Sequence, residues 1–367
     1  MRESEFHKLQ SIVWLQTGFL GDIVITTAAF RFVREHYPHI KQYLITTPIG
    51  AAALKGHSDL DKILVFDKRG KNLFSEARRL KGELSALSLG AVWMLQTHKS
   101  FRSSFLCRLI GLPTVTYFET QCGFLATRRV FRVAVLHEAQ RILLLLEALG
   151  VDRHEFQASR PFLEVYSQGA IESQVRAFAS GKPLVALAPG SVWGTKRWPS
   201  ENYGALARIL LKSCDANLLI LGSKDEIPAA EIVEKMAVDW GGNVASDAKL
   251  SGQRVLNLAG KTNLDDLRAI FVQLHLLVSN DSSPLHYASA FRTPTLAIFG
   301  ATVPALGFAP LAPRAAIAEI ALDCRPCGAH GPQSCPLGHF RCMLDQSPGS
   351  VAEHVFQLVP ELVRRMD

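Results

Sequence analysis

The sequence predicts an α/β protein with two doubly wound parallel-sheet domains. Two observations point there. Short apolar runs alternate with helix-period segments along most of the 367 residues, and such alternation argues for parallel sheets covered by helices on both faces. The runs also fall into two sets of about five, in a chain too long for one ordinary core.

The first set of strands is expected at 11–16, 42–46, 62–66, 91–95 and 114–117, with helices at 23–36, 73–87, 100–110 and 137–149. Each strand is a short apolar run bounded by polar residues or turn formers, and each helix shows a spaced apolar face. The second set is expected at 184–188, 217–221, 255–258, 276–279 and 294–299, with helices at 201–213, 227–238, 264–273 and 284–291. The mixed, more polar segment 151–182 places a boundary near 165–182. This gives a first domain over 1–170, a second over 171–348 and a closing helix in 349–367, from "SVAEHVFQLVPELVRR". No repeat or low-complexity tract interrupts the pattern.

With 48% hydrophobic and 20% charged residues, the chain is globular rather than disordered. It contains no apolar stretch of the ~18 residues that a membrane-spanning helix needs. The first ten residues, MRESEFHKLQ, lack the apolar core of a signal peptide, so a cytoplasmic location is expected. A net charge of +7 suits an anionic partner such as a nucleotide or a phosphorylated lipid, but equally a solvated basic surface. Charge alone favours the second.

Three stretches carry chemistry. At the carboxyl end of the first strand, where open α/β sheets bind ligands, Gly18-Phe19-Leu20-Gly21 leads into a lone carboxylate, Asp22. A dinucleotide enzyme would show G-x-G-x-x-G here, and this turn lacks the first close glycine pair. Asp22 also reads as an N-cap of helix 23–36. The second stretch, "LVALAPGSVWGTKRWPSENYGALARIL", ends a strand at Ala188 and turns through Pro189-Gly190-Ser191. Small residues there let backbone N–H groups approach phosphate oxygens, Lys196 adds a mobile positive charge, and Ser200 reads as the next N-cap. The third, "LLVSNDSSPLHYASAFRTPTLAIFG", follows its strand with Asn280-Asp281-Ser282-Ser283 and then Pro284, which favours a helix start. Hydroxyls and free N–H groups at that start suit a pyrophosphate, although capping by Asp281 or Ser282 explains the same residues. His286 sits in the first turn, where a histidine is more often structural than catalytic.

Together these blocks make the chain resemble the ADP-heptose:lipopolysaccharide heptosyltransferases, glycosyltransferase family 9. The match runs through "TGFLGDIVITTAAFRFVREHYP", "LAPGSVWGTKRWPSENYGALA", "LNLAGKTNLDDLRAIF" and "VSNDSSPLHYASAFRTPTLAIFGAT", with a weaker block "HKSFRSSFLCRLIGLP". The resemblance implies a GT-B fold: two Rossmann-like domains facing a cleft, acceptor on the first and nucleotide sugar on the second, the last helix crossing back to the first domain. It implies inverting, metal-independent transfer of heptose from ADP-heptose to the lipid A-Kdo or core acceptor, with peripheral contact at the cytoplasmic face of the inner membrane and no nucleic-acid partner. Asp22 matches the catalytic base. Lys196 matches the phosphate-binding lysine, Asp281 the residue holding the heptose hydroxyls, and Glu226, four past Gly222 in "LILGSKDE", the acid on the ribose. Ser191, Ser282, Ser283 and His286 complete the expected donor site, although the family often has glycine at Ser283. Gly21, Lys99, Arg102 and Arg128 are expected at the acceptor, whose carboxylates or phosphates suit Arg and Lys; a solvated basic face is the plain alternative.

Cys324, Cys327, Cys335 and Cys342 fall in "CRPCGAHGPQSCPLGHFRC". In a reducing compartment, clustered thiols suggest a metal rather than disulfides. The expectation is a structural zinc, or else iron, clamping the loop before the last helix, with no cofactor needed for catalysis; four free thiols are the alternative. Two other functional classes stay open: a nicotinamide-dependent oxidoreductase and a catalytically silent nucleotide-binding protein. Within transferases, so do another nucleotide sugar and a protein acceptor.

Overall fold

A computed structural model describes residues 5–68, 72–164, 169–238 and 254–364. The chain divides into two compact units, Met1–Glu164 and Val165–Asp367. The boundary expected near 165–182 therefore begins at residues outside the described ones.

The first unit runs β1 (Ser11–Gln16), α1 (Leu20–His36), β2 (Lys41–Thr46), α2 (Pro48–Ala53), β3 (Lys62–Val65), α3 (Leu73–Ser85), β4 (Val92–Gln96), α4 (Phe101–Ile110), β5 (Thr114–Tyr117), β6 (Arg128–Val130) and α5 (Glu138–Glu147). Its six strands are all parallel, in the order β3-β2-β1-β4-β5-β6. β1 is buried along its whole length, as a central strand covered on both faces must be. Even its polar neighbour is internally satisfied, since Trp14 Nε1 donates to Gln42 Oε1 at 3.0 Å.

The second unit runs α6 (Ala170–Ala179), β7 (Leu184–Ala188), α7 (Ser200–Ser213), β8 (Asn217–Ile220), α8 (Ile227–Val238), β9 (Val255–Asn257), α9 (Leu264–Phe271), β10 (Leu276–Asn280), α10 (Ser283–Phe291), β11 (Thr295–Ile298), β12 (Ala315–Ala318), α11 (Arg341–Leu344) and α12 (Pro348–Leu358). Its parallel sheet has the order β12-β11-β10-β7-β8-β9. Counted from its own first strand, this is the same winding as in the first unit. In each sheet the order reverses beside the first strand, so a crevice opens at the carboxyl ends of β1 and β4, and again at those of β7 and β10.

The expected strands and helices are present, with ends moved by a few residues. Five elements were not anticipated: α2, α6, α11 and the edge strands β6 and β12. α1 begins at Leu20, so Asp22 is its third residue and not its N-cap. α7 begins at Ser200, with Pro199 in the N-cap position and no side-chain cap. Within the second unit, Val351, Ala352 and Val355 of α12 are buried in the core, with α7, β11 and β12. Asp215 N–H donates to Leu362 O, and Arg364 N–H to Ser213 O, which tie the following residues to the end of α7. Residues 365–367 of the expected helical segment lie outside the described ones.

Candidate functional site

In the first unit, the turn after β1 is built around Asp22. The Phe19 N–H donates to Asp22 Oδ2 at 3.1 Å, which satisfies one of the orphan donors at the start of α1. Negative charge in this first turn is also favoured by the helix dipole. A Cβ on Gly18 would lie 2.9 Å from both Asp22 Oδ2 and Gln16 Oε1, so glycine leaves the carboxylate its room. Gly21 is buried one residue before Asp22.

Across the crevice, the loop after β4 meets this turn. Thr17 Oγ1 lies 3.2 Å from His98 Nδ1 and 3.0 Å from Ser103 Oγ, and Lys68 Nζ donates to Thr17 O. Burial, and then Lys68 and Lys99, push the His98 imidazole down to about 4, so it is neutral at physiological pH. Neither His98 nor Lys68 was singled out from sequence; the signal for His98 was its place just past a parallel strand at the reversal point. Lys99 is exposed beside it, and its carbonyl accepts from Gln121 N–H at 3.1 Å. Arg102 lies in the first turn of α4, its guanidinium 6.0 Å from the Phe66 ring centre. Arg128 does not join this group. It opens β6, at the amino end of a parallel strand, with its guanidinium 4.6 Å over Trp93 and bonded to Ala148 O at 2.9 Å.

In the second unit, Asn280 closes the crevice. Its Nδ2 donates to Pro189 O at 2.8 Å, and its Oδ1 accepts from Trp198 N–H at 3.1 Å and Tyr203 O–H at 3.2 Å. This fixes the end of β10 against the turn after β7. Lys196 Nζ then meets Asp281 Oδ2 at 2.6 Å, and Thr302 Oγ1 donates to the same oxygen at 2.7 Å. The pair is largely withdrawn from water, with side chains 12% and 5% exposed. Ser191 is buried and its carbonyl accepts from Arg197 Nε at 2.6 Å. Ser282 is the N-cap of α10 and Ser283 its first residue, so the backbone donors of that helix start lie beside the ion pair. Ser282 Oγ reaches Gly190 O at 3.5 Å. His286 is buried within the same helix, 6.3 Å from the Phe308 ring centre.

Glu226 belongs to the same edge. Its Oε2 accepts from Ser223 N–H at 2.7 Å. A Cβ at Gly190 would collide with this carboxylate, and one at Gly222 would lie 3.2 Å from Glu226 Cβ. Glycine at 190 therefore leaves the Glu226 carboxylate room to reach the β7 turn, and Gly222 eases the packing beside its Cβ. Asn280, Thr302 and the space at Gly190 were not assigned from sequence.

The cysteine segment lies next to this site. Cys324 Sγ is 3.9 Å from His339 Nε2, and Cys335 Sγ accepts from Phe340 N–H at 3.4 Å. Backbone hydrogen bonds, Phe340 first, hold the Cys335 thiol below its usual range, the environment a thiolate ligand needs. Burial instead pushes Cys342 up to about 11. Among the described residues, no group of three or more Cys, His, Asp or Glu side chains is drawn together as a metal site.

A family model described as glycosyltransferase family 9 (heptosyltransferase) matches residues 78–334. The chain is similar to lipooligosaccharide heptosyltransferase 2 of Campylobacter jejuni, 24% identical over 93% of this chain and 96% of that protein. Its structure resembles the ADP-heptose lps heptosyltransferase II of E. coli, with a TM-score of 0.73 and 19% identity over 96% and 99% of the two chains. It also resembles TibC of enterotoxigenic E. coli, described as an iron-containing dodecameric glycosyltransferase, at a TM-score of 0.58 and 15% identity over 97% of this chain and 77% of that one. The α/β, GT-B-like fold class expected from the sequence is thereby established.

The neutral His98 makes stability depend on pH. Its folded value of about 4 lies below the unfolded value of about 6.5, so the unfolded chain binds the proton first. The contribution is complete above about pH 6.5 and is lost as pH falls towards about 4. Urea midpoints between those limits should fall less steeply for His98→Asn than for the parent. An imidazole titrating near 6.5 by NMR would remove this account.

Proposed function

The chain belongs to glycosyltransferase family 9, the heptosyltransferases, and on that premise we propose that it transfers heptose from ADP-heptose to a Kdo- or heptose-bearing lipopolysaccharide core acceptor with inversion. The observation that carries the donor half is the Lys196–Asp281 pair beside the α10 start. Asp22 takes the proton of the acceptor hydroxyl as that oxygen attacks the anomeric carbon. The bond from that carbon to the β-phosphate oxygen breaks, and ADP leaves with the electron pair. Lys196 and the N–H groups of Ser282 and Ser283 stabilise the charge growing on the diphosphate. Both contacts to Asp281 use Oδ2, and the proposal gives its other oxygen to the heptose hydroxyls. Glu226 binds the ribose, while Ser191 and His286 line the nucleotide site. Lys99 and Arg102 hold acceptor carboxylates or phosphates. Arg128 is already engaged with Trp93 and Ala148, which supports a structural role instead.

Asp22→Asn keeps the side chain's size and removes its basicity. We expect kcat to fall by roughly 10²–10⁴ while ADP still raises the melting temperature as in the parent. Near-normal turnover would take Asp22 out of the mechanism, and selective stabilisation by UDP, GDP or NAD would overturn the donor.

The proposal also includes a structural zinc or iron ion at Cys324, Cys327, Cys335 and Cys342. The N–H groups around Cys335 support it. The ion would tie the loop and takes no part in the chemistry. Elemental analysis of untagged protein should find about one ion per chain, and a chelator should lower the melting temperature. Metal-free protein with an unchanged melting temperature would refute it.

A cytoplasmic enzyme of this kind meets its acceptor at the inner membrane, and an exposed face supports such contact. Phe131 is 71% exposed, stacked 4.2 Å from Phe118, and Arg129 lies 4.6 Å over the Phe118 ring. Phe124 and Val135 are exposed nearby in the chain. Aromatic rings with cations on their faces suit an anionic lipid interface. The protein should sediment with vesicles containing phosphatidylglycerol, and Phe124→Ser/Phe131→Ser should weaken this about tenfold. Equal sedimentation of the variant would clear this face of the role.

A further inference from the structure

The cysteine segment does more than precede the last helix. Between Arg325 and Gln346 it bonds to the turn after β7, which carries Lys196, and to the turn after β11, which carries Thr302. At its start, Arg325 Nη2 donates to Thr302 O at 2.8 Å, Arg325 Nε donates to Gly300 O, and Cys327 N–H donates to Ala301 O at 2.8 Å. These bonds hold the turn whose Thr302 hydroxyl reaches Asp281. In its middle, Pro332 O accepts from Thr195 N–H at 3.2 Å and from Thr195 Oγ1 at 2.6 Å. The Gln333 amide then bridges two backbone groups. Its Oε1 accepts from Gly194 N–H, and its Nε2 donates to Val192 O, both at 3.1 Å. The His330 and Trp193 rings lie 6.1 Å apart and 10° from parallel. At its end, Gln346 Nε2 donates to Phe299 O at 3.0 Å, and Gln346 O accepts from Trp198 Nε1 at 3.0 Å.

The approach is close enough to dictate residue type. A Cβ at Gly194 would collide with the Gln333 carbonyl, and one at Gly331, where φ is +73°, would lie 2.9 Å from Thr195 Oγ1. The turn itself supplies little hold on Lys196. Its regular structure is a three-residue 3₁₀ stretch, Gly194–Lys196, and such short stretches are weak on their own. Its neighbours are instead held by residues about 140 positions further along the chain.

We propose that residues 325–346 act as a strap that positions Lys196 and Asp281 for the donor diphosphate, with Gln333 as the positioning residue that fixes the 192–196 turn. The inference rests on the reading of that turn as the phosphate site. The Gln333 amide hydrogen-bonds two backbone groups and takes no part in the chemistry. Removing it lets the turn sample arrangements in which the Lys196 ammonium is away from the diphosphate, and binding falls by the fraction lost.

Two measurements test this. In Gln333→Ala, Kd for ADP by titration calorimetry and the donor KM should both rise about tenfold, while kcat at saturating donor stays within about twofold. On a Lys196→Ala background the same change should move Kd less than about twofold, because its effect runs through the lysine. Gln333→Glu keeps the acceptor for Gly194 N–H and should recover part of the loss. Unchanged affinity in Gln333→Ala, or equal weakening in both backgrounds, overturns the proposal. Hydrogen exchange of the nucleotide-free protein gives the second test. Amides of residues 193–196 should exchange faster in Gln333→Ala, with an unchanged melting temperature. Unaltered exchange there overturns the strap whatever binds. If the parent protein binds no ADP while exchange still accelerates, the donor reading fails and the strap stands.

Discussion

Every strand in both sheets runs parallel. That constraint organises the rest of the molecule. A parallel sheet needs a crossover between successive strands, so helices cover both faces and leave the carboxyl-end turns as the irregular edge. Where the strand order reverses, neighbouring crossovers lie on opposite faces, and the turns between them are not capped by a helix. Asp22 and His98 follow the two strands that flank the reversal in the first unit. Lys196 and Asp281 follow the equivalent strands in the second. The same topology, used twice, sets two groups of polar side chains at equivalent places.

What differs is how each crevice is filled. In the first, neutral hydroxyls and a neutral imidazole meet across the gap, with Lys68 bonded to a backbone carbonyl. In the second, a buried ion pair meets there. Such a pair is weak evidence for stability, because desolvation of both charges offsets much of their attraction. It has to be surrounded by further donors to be tolerable. Thr302 supplies one, and Asn280, at the end of β10, removes the slack between the two turns by bonding across to Pro189 and Trp198. A site that binds a diphosphate can use this arrangement. An anion bound there would meet a lysine that is already largely dehydrated, so less desolvation would remain to be supplied on binding.

Much of the architecture was legible because long apolar runs have a clear period. β1, β7 and β10 are continuously buried, and their sequences say so. The missed strands are of another kind. β6 is Arg128-Arg129-Val130 and β12 is the partly exposed Ala315–Ala318; each pairs on one side only. Their strand character comes from the neighbour, not from composition. The same limit explains Arg128. Its charge was legible, but its position at the amino end of an edge strand was not. α12 was legible as a helix from its apolar stripe.

The second unit's site was legible as residue types and not as a mechanism of support. Lys196, Asp281, Ser282 and Glu226 stand out because charged or hydroxyl residues follow apolar strands. Gly190 could be seen as small, but its role as room for the Glu226 carboxylate is a tertiary fact. Gln333 carried no local signal at all. It sits in a polar, glycine- and proline-rich stretch, where a glutamine would ordinarily be solvated, and its amide is used on backbone groups of a distant turn. Backbone groups are present at every residue, so contacts to them leave no pattern in the sequence of the partner. A turn near a charged ligand cannot be packed with bulky apolar side chains without excluding that ligand. Support must therefore come through backbone hydrogen bonds from outside the turn, which is where such residues have to be sought.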